Sequence, residues 1–202
     1  MEIIETRIGF SILFVLGLAL FFLRKYTHNP FNKTLKKASA GDAESQYRLA
    51  LLYYTGKHIH QDFMQAFNWF ETAAKNGHLR AQTALAGLYN EGRGCDKNTQ
   101  QSFYWYKEAA QQGDFEARIN LAICYLSGIG TEKDLQKGFE TMKKAADDKS
   151  PLAQTLTGDL YERGIGIEQS NQQALRYYIA AAKQGEPRAK ASLDRLKKEK
   201  KI

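Results

Sequence analysis

The sequence predicts an all-α fold: a right-handed α-solenoid of helix–turn–helix repeats, preceded by one transmembrane helix. Two observations lead to this prediction. An apolar run fills residues 8–23, and a glycine recurs with a step of 36 residues at Gly41, Gly77, Gly113 and Gly185. A period near 36 is typical of stacked supersecondary units, each of which buries its apolar face against its neighbours.

Other residues repeat with the same period, which indicates that the whole unit is duplicated. A tyrosine stands twelve residues after each glycine place, at Tyr53, Tyr89, Tyr125 and Tyr161. A second glycine stands fifteen residues after it, at Gly56, Gly92, Gly128 and Gly164. Alanine pairs close the units at 73–74, 109–110, 145–146 and 181–182. The remaining glycine place holds Lys149, yet Ser150 and Pro151 restart the next helix in register.

Each unit divides into two predicted helices. In the second unit Ala81, Leu85 and Leu88 stand at i, i+4 and i+7, so they share one helix face. The glycine fifteen residues into each unit is a C-cap signal that ends this first helix. The second helix begins at residues that favour the N-cap position, which are Asp62, Asn98, Asp134 and Ser170.

These signals divide the chain into seven segments. The four units are assigned to residues 41–76, 77–112, 113–148 and 149–184. A half-repeat helix is expected at 29–40, where Phe31 and Ala38 fit the template of a second helix. A capping helix with a basic tail is expected at 185–202, where Ala189 and Leu193 fit the template of a first helix. Residues 1–28 remain for a tail, the membrane helix and a linker.

The pattern resembles the Sel1-like repeat, a relative of the tetratricopeptide repeat. The second unit carries its motif at Ala81, Leu85, Ala86, Tyr89, Gly92, Gly94, Trp105, Tyr106, Ala109 and Ala110. The first unit departs from it at His58, which replaces the second glycine, and the third unit has Thr141 and Met142 in place of the aromatic pair. The resemblance implies a surface that binds a protein or peptide, not an enzyme, a cofactor protein or a receptor for a small-molecule substrate.

The resemblance also implies where the partner binds. Superhelical repeats present a concave surface lined by the first helix of each unit. The repeat motif does not specify the residues that stand 6, 10 and 13 places after each glycine position. The residues expected there to contact a partner are Tyr47, Leu51, Tyr54, Thr83, Asn90, Ile119, Ile123, Leu126, Thr155, Asp159 and Glu162. The alternative, that Leu51, Ile119 and Ile123 complete the core, stays open at this stage.

Residues 8–23 are interpreted as an uncleaved membrane anchor. Sixteen helical residues span about 24 Å, slightly less than a ~30 Å hydrocarbon core, and the flanking Arg7 and Arg24 can snorkel to extend the span. A cleaved signal peptide is the alternative, and it needs a basic start and a small-residue cleavage site. Here two acids and one base precede the run, and it ends in Phe-Phe-Leu-Arg-Lys.

The flanking charges indicate an orientation. Arg7 is the one base before the apolar run, and Arg24, Lys25, Lys33, Lys36 and Lys37 follow it. Because the basic side stays in the cytoplasm, the repeat domain is expected there, with the N-terminus outside. The family's commonest setting implies a bacterial inner membrane. The reverse orientation remains an alternative, and it would suit a periplasmic or cell-envelope factor with cell-wall-binding or hydrolytic activity.

The net charge of +7 does not indicate nucleic-acid binding once it is localised along the chain. Residues 1–40 carry +4, residues 186–202 carry +4, and residues 41–185 carry −1. The repeats are therefore electrically balanced and lack a basic stripe with interleaved aromatic residues. The basic N-terminal flank instead suits an anionic membrane surface.

No chemical site is predicted. A zinc site would need three or four ligands close together, and the weak candidates are His58, His60, His78 and Cys95. Exposed loop histidines beside an N-cap aspartate are the preferred interpretation, so no metal is expected. The Gly-x-Gly pairs recur at one repeat position, which indicates a structural turn and not a phosphate loop. The sequence contains no Ser-x-x-Lys motif.

Overall fold

The computed structural model describes residues 30–57 and 59–199, which form ten α-helices and no strand. The helices are α1 (Pro30–Ser39), α2 (Ala43–Thr55), α3 (Phe63–Lys75), α4 (Leu79–Glu91), α5 (Thr99–Gln111), α6 (Phe115–Ser127), α7 (Leu135–Asp147), α8 (Pro151–Arg163), α9 (Asn171–Lys183) and α10 (Pro187–Lys198). Each helix packs mainly against the helices before and after it in the chain. The prediction of an all-α solenoid of paired helices is confirmed.

The membrane helix is a separate matter. Within residues 30–57 and 59–199, no helix is both long and apolar enough to cross a bilayer. The apolar run at 8–23, where the anchor is predicted, lies outside the described residues.

The turn between units keeps its shape where glycine is replaced. Gly113 and Gly185 have φ values of 96° and 90°, in the left-handed region that favours glycine. Lys149 takes the same conformation, with φ of 67°. Its N–H donates to the Ala146 carbonyl at 2.9 Å, so the substitution leaves the repeat register intact.

Side-chain caps start every first helix. Asp42, Asp114 and Ser150 accept from backbone N–H groups three residues ahead. His78 caps α4 in the same way, because its Nδ1 accepts from the Ala81 N–H at 3.2 Å. Glu186 accepts from the Arg188 N–H at 3.2 Å in α10.

An aromatic ladder joins each unit to the one before it. The tyrosine twelve residues into each unit packs edge-on against a phenylalanine of the preceding second helix, with ring centroids 5.0–6.0 Å apart. The pairs are Phe31–Tyr53, Phe67–Tyr89, Phe103–Tyr125 and Phe139–Tyr161. The first pair shows that α1 takes the place of a second helix, as its half-repeat pattern predicts.

A second ladder is built from buried glutamines. Gln46, Gln82 and Gln154 each donate from Nε2 to a carbonyl of the preceding helix, at 3.1–3.4 Å. The Oε1 atom of each glutamine accepts from an amide 30 residues onward at 2.9 Å. In the third unit Arg118 occupies this place and pairs with Asp148 instead. Each glutamine therefore ties its unit to the preceding helix and its first helix to the end of its second, whereas Arg118 and Asp148 tie together the two helices of the third unit.

Candidate partner-binding groove

A cavity of about 500 Å³ opens between α2, α4 and α6, the first helices of the first three units. Tyr47, Leu51 and Tyr54 line it from α2, and Thr83 and Ala84 line it from α4. We call the face formed by α2, α4, α6 and α8 the groove. The cavity falls within the range of volumes typical of ligand sites, and the protein leaves it unfilled.

The cavity floor contains a phenol from a second helix. Tyr106 of α5 is 8% exposed and lines the cavity beneath Gly87. A Cβ placed on Gly87 would lie 3.7 Å from the Tyr106 hydroxyl oxygen. Burial raises the pKa of Tyr106 to about 12, with further contributions from Cys124 and from the carboxylates of Glu116 and Glu91. The phenol is therefore neutral and presents its hydroxyl at the floor.

The cavity rim is charged. Arg80, Glu91, Asp114 and Glu116 all line it, so three acids face one base. Asp114 also caps α6, accepting from the Ala117 N–H at 2.7 Å. These charges surround apolar walls, which is the composition expected where a protein segment docks.

Arg93, which pairs with the rim residue Glu91, holds a side chain of the groove in place. Arg93 bridges Glu91 at 2.8 Å and donates to the Tyr54 hydroxyl at 3.0 Å. Its guanidinium also lies 5.6 Å from the ring centroid of Phe63. This network fixes the Tyr54 ring at the edge of the cavity, so the wall of the first unit is preorganised.

Tyr47 is positioned from the other side by a histidine. Its ring stacks on His78 with centroids 4.4 Å apart. The Nε2 atom of His78 lies 3.0 Å from Glu44 Oε2, and hydrogen bonds from His78 and Arg48 lower the pKa of Glu44. Burial raises the pKa of Tyr47, against the opposing effect of the Arg80 charge.

The groove continues past the third unit. Ile123, Leu126 and Asp159 line a smaller cavity of about 250 Å³ between α6 and α8. Ile123 is 38% exposed there, although it is an aliphatic residue. The groove therefore keeps an exposed apolar anchor beyond the main cavity.

In the fourth unit the polar side chains at the groove positions are bonded to other side chains of the same protein. The Tyr178 hydroxyl lies 2.6 Å from Asp159 Oδ1 and 2.8 Å from Glu162 Oε2, so the two carboxylates share its one proton. Arg195 of α10 binds Glu162 through both terminal nitrogens, at 2.6 and 2.7 Å. Burial and these carboxylates raise the pKa of Tyr178.

The structure sorts the predicted contact residues into three groups. Seven line the two cavities: Tyr47, Leu51, Tyr54, Thr83, Ile123, Leu126 and Asp159. Asn90 is half-buried one turn beyond Gly87, and Glu162 is engaged with Tyr178 and Arg195. Thr155 and Ile119 belong to the interior.

The two interior residues are placed there by specific contacts. Thr155 is 1% exposed, and its hydroxyl donates to the Pro151 carbonyl at 2.9 Å. Ile119 is 8% exposed and lies in the apolar cluster that contains Phe139 and Met142. Ile119 therefore belongs to the core, whereas Ile123 is exposed in the groove.

Sequence reasoning missed a second stripe of groove residues. Arg80, Ala84, Glu91, Glu116 and Asn120 stand 3, 7 or 14 residues after a glycine place, and all line the main cavity. The places 3, 7, 10 and 14 residues after a glycine are three or four residues apart, so these residues lie on the same face of the first helix. That spacing was the available signal.

The candidate metal ligands do not converge. Within residues 30–57 and 59–199, no three His, Cys, Asp or Glu side chains form a group that could hold a metal ion. His60 Nδ1 lies 2.9 Å from the Gln61 carbonyl, and both nitrogens of His78 are engaged as described above. Cys95 Sγ donates to the Leu88 carbonyl at 3.8 Å, and burial raises its pKa. His58 lies outside the described residues.

Solved structures similar to this chain include two bacterial repeat proteins. A protective antigen of uropathogenic Escherichia coli with an SLR fold is 30% identical with a TM-score of 0.80, and the match covers 84% of this chain and 36% of that one. A Sel1 repeat protein from Oxalobacter formigenes is 31% identical with a TM-score of 0.73, over 77% of this chain and 62% of that one. This chain thus spans less than two thirds of either structure.

A more distant structure supports the fold alone. Helicobacter pylori cysteine rich protein B is 19% identical with a TM-score of 0.51, over 65% of this chain and 94% of that one. A search of curated proteins found no match.

The repeats themselves are matched by a family model. The Sel1 repeat model matches residues 43–78, 79–114, 115–150 and 151–186, four consecutive copies without a gap. These limits follow the helix pairs of the structure and cover most of the chain. The chain belongs to the Sel1 repeat family.

Proposed function

We propose that this protein is a membrane-anchored, non-enzymatic scaffold that binds a segment of another protein in its groove. Sel1 repeat proteins typically serve as protein-interaction scaffolds. The observation that carries the proposal is the cavity of about 500 Å³, which three successive first helices line with aromatic, aliphatic and charged side chains.

The shape of the groove favours an extended or helical protein segment. The main cavity contacts three first helices, and the smaller cavity of about 250 Å³ continues the same face toward the fourth unit. A segment lying along this face can place one side chain in each cavity. Anchors seated in pockets and surrounded by a polar rim are how most interfaces gain their affinity.

The anchor is the part of the proposal that depends on sequence pattern. Residues 8–23 supply the apolar run, and the basic flank at 24–37 supports a cytoplasmic repeat domain. A reporter fused to the C-terminus tests this orientation directly. Activity of a cytoplasmic reporter supports it, whereas activity of a periplasmic reporter alone would favour the cell-envelope alternative.

The groove is tested with a matched pair of variants. Ile123→Glu combined with Tyr54→Ala places a charge on the groove and removes the ring at the cavity edge. Ile179→Glu combined with Tyr104→Ala is the control, because Ile179 is 39% exposed and Tyr104 is 48% exposed, both on second helices. Partners that co-purify with the full chain are then compared by quantitative mass spectrometry.

The two variants should give different results. We expect the groove variant to lose at least one partner that the control keeps, while both retain the far-ultraviolet spectrum of the native chain. If every partner of the native chain also binds the groove variant, the groove is not the binding surface.

A further inference from the structure

We propose that the main cavity receives a lysine or arginine side chain of the bound partner, at the Tyr106 hydroxyl and the neighbouring carboxylates. This inference rests on the proposed function, since it assumes that the groove binds a protein segment. It adds the chemistry of the residue that is recognised.

At the cavity, the second unit lacks an acid that the fourth unit has at the corresponding place. Tyr106 and Tyr178 stand at the same repeat place, 29 residues into their units. Over Tyr178 lies Asp159, whose carboxylate accepts from the phenol at 2.6 Å. The place of Asp159 is taken by Gly87 in the second unit. The same phenol is therefore closed off in one unit and open in the other.

The Tyr106 hydroxyl has no internal partner and is reached from the cavity. Its residue is 8% exposed, and no group among residues 30–57 and 59–199 forms a hydrogen bond with its oxygen. With no side chain on Gly87, the oxygen faces the cavity. A ligand can therefore hydrogen-bond this hydroxyl without breaking any internal hydrogen bond.

The charges around the cavity favour a cationic ligand. Glu91, Asp114 and Glu116 outnumber Arg80 in the lining. Burial raises the pKa of Tyr106 first, and Cys124, Glu116 and Glu91 raise it further. A group that feels negative potential at its hydroxyl sits where a positive charge is stabilised.

The walls suit the stem of a long basic side chain. Leu51, Ala84 and Leu88 line the cavity with aliphatic carbon, which a row of methylene groups can cover. The rings of Tyr47 and Phe70 also line it, and aromatic faces attract ammonium and guanidinium groups. A lysine or arginine thus finds apolar contact along its stem and polar contact at its head.

The test uses blocked amino acids as probes of the full chain in detergent, followed by NMR of labelled tyrosines. N-acetyl-lysine methylamide and its arginine counterpart are the cationic probes. The norleucine counterpart matches the lysine stem without charge, and the glutamate counterpart reverses the charge. We expect saturable shifts of the Tyr106 ring signals with the cationic probes and at least about tenfold weaker binding of the other two.

Two variants locate the effect. Tyr106→Phe removes one oxygen that has no internal partner, so it should fold normally and weaken the lysine probe by about tenfold. Because this variant lacks the Tyr106 signal, its affinity is read from the rings of Tyr47 and Tyr54, which also line the cavity. Glu116→Gln should also weaken it. The control is Glu140→Gln, because Glu140 is exposed on α7 outside the groove and should leave the affinity unchanged.

The outcomes separate this inference from the proposed function. If the glutamate probe binds and the lysine probe does not, Arg80 dominates the cavity and the inference is overturned. If no probe shifts Tyr106 while Ile123→Glu with Tyr54→Ala abolishes partner binding, the groove is a docking site but not one for a basic side chain. If the lysine probe binds and the groove variant keeps every partner, the cavity does recognise a basic side chain, but the groove is not the surface that binds the partner.

Discussion

Replacing Gly130 by alanine should disrupt the contact between the second and third units. Gly130 has φ of 69°, and a Cβ there would lie 2.0 Å from the Thr99 carbonyl oxygen at the start of α5. It would also lie 3.0 Å from the Phe103 Cβ. A backbone carbonyl at a helix start cannot rotate away as a side chain can, so one of the two units must shift.

Gly113→Ala is the matched control, because Gly113 precedes α6 and Gly130 follows it. Gly113 has φ of 96°, and no atom lies within 4 Å of a Cβ built there. Alanine in this conformation costs about 1 kcal/mol, and the lower entropy of the unfolded chain offsets about half of that. Gly130→Ala bears the same terms and adds about 1–3 kcal/mol for overpacking.

The two variants should therefore differ clearly in melting temperature. For a chain of this length 1 kcal/mol corresponds to roughly 2–4 °C, so we expect a fall of about 1–2 °C for Gly113→Ala and about 3–14 °C for Gly130→Ala. Circular dichroism follows the whole array. Trp105 fluorescence follows α5, because repeat arrays need not unfold as one unit. Equal losses of stability in the two variants would refute the reasoning from close approach.

Three further predictions concern other parts of the array. Lys149→Gly should stabilise the fold by about 0.5 kcal/mol, because it relieves a left-handed lysine, and chemical denaturation measures the gain. Arg195→Met should destabilise the docking of α10 by about 1 kcal/mol through loss of the paired bonds to Glu162, and hydrogen exchange in α10 should accelerate. Burial raises the pKa of Cys124 from 9.0 to about 11, so the folded chain keeps this proton longer than the unfolded one. Stability should therefore fall between pH 9 and 11, and Cys124→Ala should flatten that part of the curve of melting temperature against pH.

The periodic residues allowed the fold to be predicted because each has a local role. Asp62 starts α3 by accepting from the Gln65 N–H at 3.0 Å, and Gly92 ends α4 with φ of 71°. Such caps act within one turn of helix, so a single sequence reveals them. Histidine is not one of the residues that favour the N-cap position, yet the His78 ring nitrogen accepts as an aspartate oxygen would.

The groove could be predicted only in part, because the residues that face it depend on the angle between units. The residue six places after each glycine position is hard to assign from sequence, because it lies at the boundary between groove and core. Tyr47 is long enough to reach the cavity from there, whereas Thr155 is 1% exposed and bonds its own helix. The 36-residue period does not contain the angle between units, nor does it reveal that a phenol from α5 reaches the cavity floor.

Two glycines inside first helices differ in whether packing requires them. Gly158 is required by packing, because a Cβ there would lie 2.6 Å from the Tyr178 ring. Gly87 is not, because a Cβ there would lie 3.7 Å from the Tyr106 hydroxyl, which is ordinary contact. Glycine within a helix is about 1 kcal/mol less favourable than alanine, so Gly87 lowers stability without any packing reason.

Gly87→Ala should therefore stabilise the chain by up to about 1 kcal/mol, while Gly158→Ala should destabilise it by about 1–3 kcal/mol. The added methyl group of Gly87→Ala would cover the Tyr106 hydroxyl, so the lysine probe should bind more weakly to the more stable protein. Urea denaturation and the probe titration measure the two effects on the same samples. A gain in stability with unchanged probe affinity would show that Gly87 is not retained for access to Tyr106. A loss of stability would contradict the distance of 3.7 Å between a Cβ on Gly87 and the Tyr106 hydroxyl oxygen.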